Sequence, residues 1–284
     1  MNRLSGELLC YNGRVSDADD DGTRRHWSRV RFVLCDLDGV VWLSRTAIPG
    51  APEAIASLRA SGRRVMFVTN NSFSLISDQE AALAAIGISA AGDVVTSAQA
   101  AAFLVEPGET VLVCGGPGVY EAVAARGATP VPAGKADAVI VGFHRDFDYE
   151  RMRIASETVR AGARLLATND DATYPTSEGL IPGGGAILAS VVTASGVSPT
   201  IAGKPYAPMA ALVRDRCGPE FSSHTAVMVG DRWSTDGLFA AALGCPFALV
   251  RSGVTLPGAA LEQMPAIDQP DLAAVAQVII GDSS

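Results

Sequence analysis

The segment Phe32-Val33-Leu34-Cys35-Asp36-Leu37-Asp38-Gly39-Val40 decides how the chain is read. Four apolar residues run without interruption into two acids and a glycine. A short unbroken run bounded by a turn signal is the pattern of a strand buried on both faces. In open α/β sheets the carboxyl ends of such strands form the ligand crevice, which would set Asp36 and Asp38 at one pocket opening. Asp-x-Asp-Gly also suits a plain surface turn, because Asp and Gly both favour tight turns. An EF-hand loop does not fit, since the twelfth position counted from Asp36 is Ala47 rather than Glu.

Working outward, residues 51–60 read as a helix and 65–68 as a second buried strand, which completes a βαβ unit. The same rhythm returns near the end. Residues 225–229 predict a strand closing on Gly230-Asp231, 237–243 a helix and 247–250 another strand. Between these flanks lies a separate alternating block, with strands predicted at 111–114, 138–141 and 164–167 and helices near 119–125, 149–161 and 186–194. The expected fold class is α/β: a doubly wound parallel sheet in a core of residues 31–97 and 198–284, carrying a second, smaller α/β domain inserted at 98–197. Hinges are expected at Thr96-Ser97 and across 196–200. Residues 1–30, with their acidic patch Asp17, Asp19, Asp20 and Asp21, show no sustained period and predict a flexible tail.

With 284 residues, 48% hydrophobic and 18% charged, the chain is long and apolar enough for a substantial core. Its formal net charge of −8 gives no basic footprint for nucleic acid or an anionic membrane. A small anion would therefore need a local cationic pocket. Nothing approaches the ~18 consecutive apolar residues of a membrane span, and the run Leu8-Leu9-Cys10 is too short for a signal peptide, so a cytoplasmic protein is expected. Five scattered cysteines (Cys10, Cys35, Cys114, Cys217, Cys245), never in a C-x-x-C spacing, support neither disulfides nor a zinc site.

Three further segments carry polar groups near predicted strand ends. Thr69-Asn70-Asn71-Ser72 offers a hydroxyl, amides and backbone N–H groups that suit phosphate oxygens, or simply a cap on the next helix. Gly203-Lys204-Pro205 precedes a helix that Pro205 and Pro208 favour, leaving the Lys204 ammonium at the sheet edge. Gly230-Asp231-Arg232-Trp233-Ser234-Thr235-Asp236-Gly237 places two acids five residues apart. If Asp36, Asp38 and Asp231 gather within ~4 Å, each pair repels by ~4 kcal/mol at an effective dielectric of ~20, which calls for protonation or a cation. Oxygen ligands without nearby His or Cys point to Mg²⁺.

In order and in kind, these four segments resemble the four motifs of the haloacid dehalogenase superfamily, and its phosphatase branch most. Asp38-Gly39-Val40-Val41-Trp42, Ile48-Pro49-Gly50 and the large insert between the second and third motifs are similar to the 4-nitrophenylphosphatase and NagD-type subfamily, over residues 31–253. The resemblance implies a Rossmann-like core with a cap domain and an enzyme hydrolysing phosphoric monoesters. Asp36 would be the nucleophile forming an aspartyl-phosphate, and Asp38 the acid that protonates the leaving oxygen and then activates water. Magnesium would be held by Asp36, the Asp38 backbone carbonyl and Asp231, with Asp236 on a metal-bound water. Thr69, Asn70 and Lys204 would hold phosphoryl oxygens, and Asn71 would orient their loop.

The insert would be a mobile cap choosing the leaving group, and residues 168–175 resemble the family's specificity loop. There Tyr174 stands where pyridoxal phosphate enzymes carry histidine, which fits a hydroxylated or polyol phosphate, though cap packing explains it equally. Phe73-Ser74 replaces an arginine that many relatives carry. The expected partner is a small phosphorylated metabolite of glycerol phosphate, phosphoglycolate or sugar phosphate type, with a homodimer through the cap by analogy. A phosphometabolite-binding protein without turnover and a phosphotransferase are the competing classes. His144 is the remaining candidate for a substrate or subunit contact. Cys114-Gly115-Gly116-Pro117-Gly118 lacks the G-x-G-x-x-G spacing and reads as a helix entry, and Gly183-Gly184-Gly185 as a turn.

Overall fold

Phe32–Cys35 forms a strand whose four residues are all buried, and it lies at the heart of a seven-stranded sheet. The computed structural model describes residues 14–15, 27–176, 179–261 and 263–281. The strand order across the sheet is 14–15, 267–269, 247–250, 226–230, 32–35, 64–69, 94–96. Every pairing is parallel except that of Arg14–Val15 with Ile267 and Asp268. Period-2 alternation splits these strands between two apolar bodies, which is why they read as unbroken runs. Leu34, Met66 and Met228 enter one body, whereas Val33, Cys35, Val65, Phe67 and Val227 enter the other.

A second, five-stranded parallel sheet follows the order 200–201, 164–167, 138–141, 110–114, 129–131. Its outer face is covered by helices Tyr149–Arg160 and Gly184–Ser195. Its inner face does not stand apart from the core. Val111, Val113, Ile140 and Leu166 share one apolar cluster with Leu34, Met66 and Met228, joined through the alanines of helix Ser97–Ala102. Helix Pro117–Ala125 closes the other side of that junction.

Three boundaries differ from the sequence expectation. Thr200–Ile201 pairs with Leu166 and Ala167, so the second sheet extends past residue 197. Preceded by Pro199, a two-residue edge strand carries too little pattern to be read. At the other end, Trp27 and Val30 are buried in the core although they were placed in the tail. The acidic patch at 17–21 lies outside the described residues. Gly183-Gly184-Gly185 is the start of a helix rather than a turn. Side chains there would collide with the carbonyl oxygens of Asp170 and Asp171, so the glycines bring the helix N-terminus onto that loop.

Several elements escaped the sequence pattern, including the strands Val94–Thr96 and Thr129–Val131 and the helix Leu272–Gly281, whereas helix Ile76–Ala85 is the one expected after Ser72. So did two hairpins, Trp42–Leu43 with Thr46–Ala47 and Thr173–Thr176 with Gly179–Pro182. Among the described residues no helix is long and apolar enough to cross a membrane.

Candidate active site

Asp36 and Asp38 follow the central strand, Thr69 ends its neighbour, and Asp231 follows the strand on the other side. Parallel pairing sends all three strand ends to one edge. Lys204 arrives on the return from the second sheet, just before helix Ala207–Cys217. A cavity of about 840 Å³ opens there, lined by Asp36, Asp38, Thr69, Asn70, Asn71, Tyr174, Lys204 and Asp231. Asp236 lies beneath it, fully buried in a π-helical turn at Trp233–Gly237.

The floor is a charge cluster. The Lys204 ammonium, itself buried, sits 2.8 Å from Asp36 Oδ1 and 2.7 Å from Asp236 Oδ1. Asp36 Oδ1 also accepts the Leu37 N–H at 2.8 Å, while Oδ2 has no hydrogen-bond partner among the described residues. Asp231 accepts the Val254 N–H at 2.6 Å. Gly39 and Gly253 approach so closely that a Cβ on either would strike the Asp231 carboxylate, and Gly39 has φ +83°. Carboxylate oxygens of Asp36, Asp231 and Asp236 all fall within 4.8 Å of one another. The converging set differs from the expected one, because the Asp38 carboxylate turns aside to accept the Trp42 Nε1–H at 3.1 Å.

Three carboxylates gather around one ammonium, and the protonation of Asp36 and Asp231 reflects the imbalance. Burial, reinforced by Asp236 and Asp231, pushes Asp36 well above the usual carboxylate range against the pull of Lys204. Burial and Asp236 likewise raise Asp231 to about 6. Lys204 moves upward: burial disfavours its charge, but the adjacent Asp236 and Asp36 more than offset that. Asp38 lines the cavity, and desolvation raises its carboxyl against the Trp42 hydrogen bond. The uncompensated charge and the oxygen-only donors fit a hard divalent cation between Asp36 and Asp231.

The second-motif loop is built by its own side chains. Thr69 Oγ1 accepts from Asn71 N at 3.1 Å, and Asn71 Oδ1 accepts from Phe73 N and Ser74 N at 3.0 and 3.1 Å. Asn71 thus shapes the loop, whereas the Asn70 carboxamide donates to Asp171 Oδ2 and to the Lys204 carbonyl. Its two N–H groups are therefore both engaged within the protein. The cap presses on the same loop, with Gly118 N donating to Phe73 O at 2.9 Å and Thr168 Oγ1 donating to Ser72 Oγ at 3.0 Å. A side chain at Gly118 would strike the carbonyls of Ser72 and Ser74. The glycines of 115–118 open helix Pro117–Ala125 and let it dock against the core.

The roof is aromatic. Tyr174 stacks on Phe143 with centroids 5.3 Å apart, and Phe143 meets Phe73 edge-on at 6.0 Å. Burial and the nearby Asp38 charge raise the Tyr174 phenol above its ordinary range. The sequence reading placed Asn169 and Asp171 in the specificity loop without singling them out, and it missed Phe143 as a cavity residue. Two glycine runs, 115–118 and 183–185, were the available signal, since they mark where backbones approach. His144 does not line the cavity. It is buried in the cap, with Nδ1 on the Gly142 carbonyl and its ring edge-on to Phe147.

A haloacid dehalogenase-like hydrolase model matches residues 33–129 and a HAD-hydrolase-like model residues 201–279. An acid sugar phosphatase of Staphylococcus aureus is 34% identical over 226 residues, covering 78% of this chain and 86% of that protein. The chain belongs to the haloacid dehalogenase-like hydrolases. A D-glycerol 3-phosphate phosphatase of Mycobacterium tuberculosis is 39% identical over 229 residues, covering 78% of this chain but only 63% of that longer protein. Among solved structures, a 4-nitrophenylphosphatase from Thermotoga maritima superposes with a TM-score of 0.81 at 27% identity, covering 89% of this chain and 98% of that one. The M. tuberculosis glycerol phosphate phosphatase in complex with magnesium superposes at 0.74 with 36% identity, over 81% and 71% of the two chains.

Proposed function

We propose that the chain is a Mg²⁺-dependent phosphomonoesterase acting on a small phosphorylated metabolite through an aspartyl-phosphate. The observation that carries this reading is the Asp36 carboxylate, which has one oxygen held by Lys204 and the other without a hydrogen-bond partner among the described residues at the cavity floor, beside Asp231. Asp36 attacks phosphorus as the bond to the leaving oxygen breaks, and Asp38 gives that oxygen its proton. Asp38, now a carboxylate, takes a proton from water. The resulting hydroxide displaces phosphate from Asp36 and restores both acids.

Thr69 and Lys204 bind phosphoryl oxygens, and Asn71 keeps the loop in shape. Asp36, the Asp38 carbonyl and Asp231 would hold magnesium, with Asp236 beneath them. The ion would neutralise charge on the transferring group and is supported by the relative solved with magnesium. Residues 98–197 with the strand at 200–201 act as the cap, and Tyr174 faces the leaving group. The relatives' names favour a polyol or sugar phosphate. A cytoplasmic location and a homodimer through the cap are carried with this reading, and light scattering of the purified chain tests the dimer. Phosphate release from glycerol phosphate, phosphoglycolate, sugar phosphates and 4-nitrophenyl phosphate, ranked by kcat/KM with Mg²⁺, tests the activity. Release that persists at full rate after chelation contradicts the metal requirement.

A further inference from the structure

Asn70 occupies an unusual position in the molecule. Its side chain pairs with the Lys204 peptide on both sides: Oδ1 accepts the Lys204 N–H at 2.8 Å, and Nδ2 donates to the Lys204 carbonyl at 3.1 Å. The remaining N–H of the carboxamide goes to Asp171 Oδ2 at 3.2 Å, on the loop after strand Arg164–Ala167. The backbone carbonyl of Asn70 accepts from Ser97 Oγ at 2.7 Å and from Asn169 Nδ2 at 2.9 Å. Ser97 begins the exit from the core sheet, Lys204 completes the return, and Asn169 and Asp171 belong to the inserted unit. Both connections and the specificity loop therefore meet on one residue. Gly203 makes the fit possible, because a Cβ there would lie 2.6 Å from Asn70 Oδ1.

The Lys204 ammonium has little freedom of its own. It is buried between Asp36 and Asp236, so its place depends on where the peptide that carries it is pinned. A carboxamide that bonds both the N–H and the C=O of one residue fixes that peptide as a strand neighbour would. With both N–H groups occupied, the carboxamide has no donor to offer an oxygen in the cavity.

We propose that Asn70 is a positioning residue: its carboxamide pins the Lys204 peptide, and Asp171 of the inserted unit holds the carboxamide in orientation. Cap and core thus jointly set the ammonium against Asp36. The kinetic consequence rests on the phosphatase reading, but the structural one does not. Misplacing a charged group by a fraction of an ångström lowers the rate of the chemical step more than it weakens substrate binding.

The test uses the full chain and three variants, Asn70→Ala, Asp171→Ala and Asp171→Asn. Amide hydrogen exchange, read by mass spectrometry without substrate, follows the segment around Lys204. In Asn70→Ala the Lys204 amide should exchange about tenfold faster or more, while strand Ala226–Gly230 keeps its protection. With 4-nitrophenyl phosphate, kcat should fall by about 10- to 100-fold and KM should stay within about threefold. Asp171→Ala should move both readouts the same way by less. Asp171→Asn, which keeps an oxygen acceptor, should return to within about twofold of the unaltered chain.

Unchanged exchange at Lys204 in Asn70→Ala overturns the proposal. So does a KM raised tenfold at constant kcat, the sign of a lost direct contact with substrate. Asp171→Asn behaving no better than Asp171→Ala removes the role given to Asp171. If Asn70→Ala does not fold, the Asp171 pair decides. If the unaltered chain releases phosphate from no ester, the phosphatase reading fails while the exchange result still judges the positioning.

Discussion

The floor and the roof of the cavity are built on opposite physical terms. The floor is charged, buried and almost fully bonded: Lys204 lies between two carboxylates, and Asp231 is clasped by Val254 N–H and two glycines. The roof is a sequence of ring contacts from Phe73 of the core through Phe143 to Tyr174 of the cap. Buried charge is intolerant, because removing one partner leaves another uncompensated. Ring packing is tolerant, because apolar surfaces re-pack at modest cost. Changes to the floor should therefore abolish chemistry, and changes to the roof should alter which ester is preferred.

The largest effect is expected at the nucleophile. Asp36→Asn should lower turnover of 4-nitrophenyl phosphate at least about 10⁴-fold while circular dichroism stays unchanged. Residual activity of a few percent would erase the distinction. Lys204→Ala should follow, with kcat down by about 100-fold or more and destabilisation of about 3–5 kcal/mol from removing the cation between Asp36 and Asp236, measured by chemical denaturation.

A smaller effect separates the floor by its pH response. Asp231 has its pKa raised by folding, from 3.8 to about 6, so the folded state holds that proton more tightly than the unfolded chain. In chelated protein this contribution favours folding most below the unfolded pKa and is lost as pH rises through about 6. The melting temperature should therefore fall by about 3–5 °C between about pH 5 and pH 7.5, and Asp231→Asn should flatten that slope. Added Mg²⁺ should reverse the trend, since it needs the ionised carboxylates. A chelated protein that gains stability with pH through Asp231 would contradict the description of the floor. The smallest effect belongs to the roof: Tyr174→Ala should raise KM for aryl phosphates about three- to tenfold with kcat within about twofold.

The same contrast explains what could be read in the sequence. Asp36, Asp231 and Thr69 end or follow apolar strands, and a parallel sheet sends such ends to one edge whatever happens elsewhere. Lys204 was recognisable because Gly203 and Pro205 bracket it in order with the other motifs. Asp38 turning to Trp42 was not readable, as it depends on the hairpin at Trp42–Leu43 and Thr46–Ala47. Phe143 and Asp171 sit on cap loops, and no local period states which core loop a cap loop will face. The saturated carboxamide of Asn70 was hidden for the same reason, since its partners lie 101 and 134 residues away. Thr200–Ile201 shows the opposite case, where the element itself is too short to carry a pattern.

Rapid acid quench of the full chain during turnover of 4-nitrophenyl phosphate with Mg²⁺, followed by mass spectrometry of its peptides, tests the central claim most directly. The account predicts one phosphoryl group on the peptide containing Asp36 in the unaltered chain and none in Asp36→Asn. Steady phosphate release with no label at Asp36 at any quench time, or a label on another residue, would contradict it.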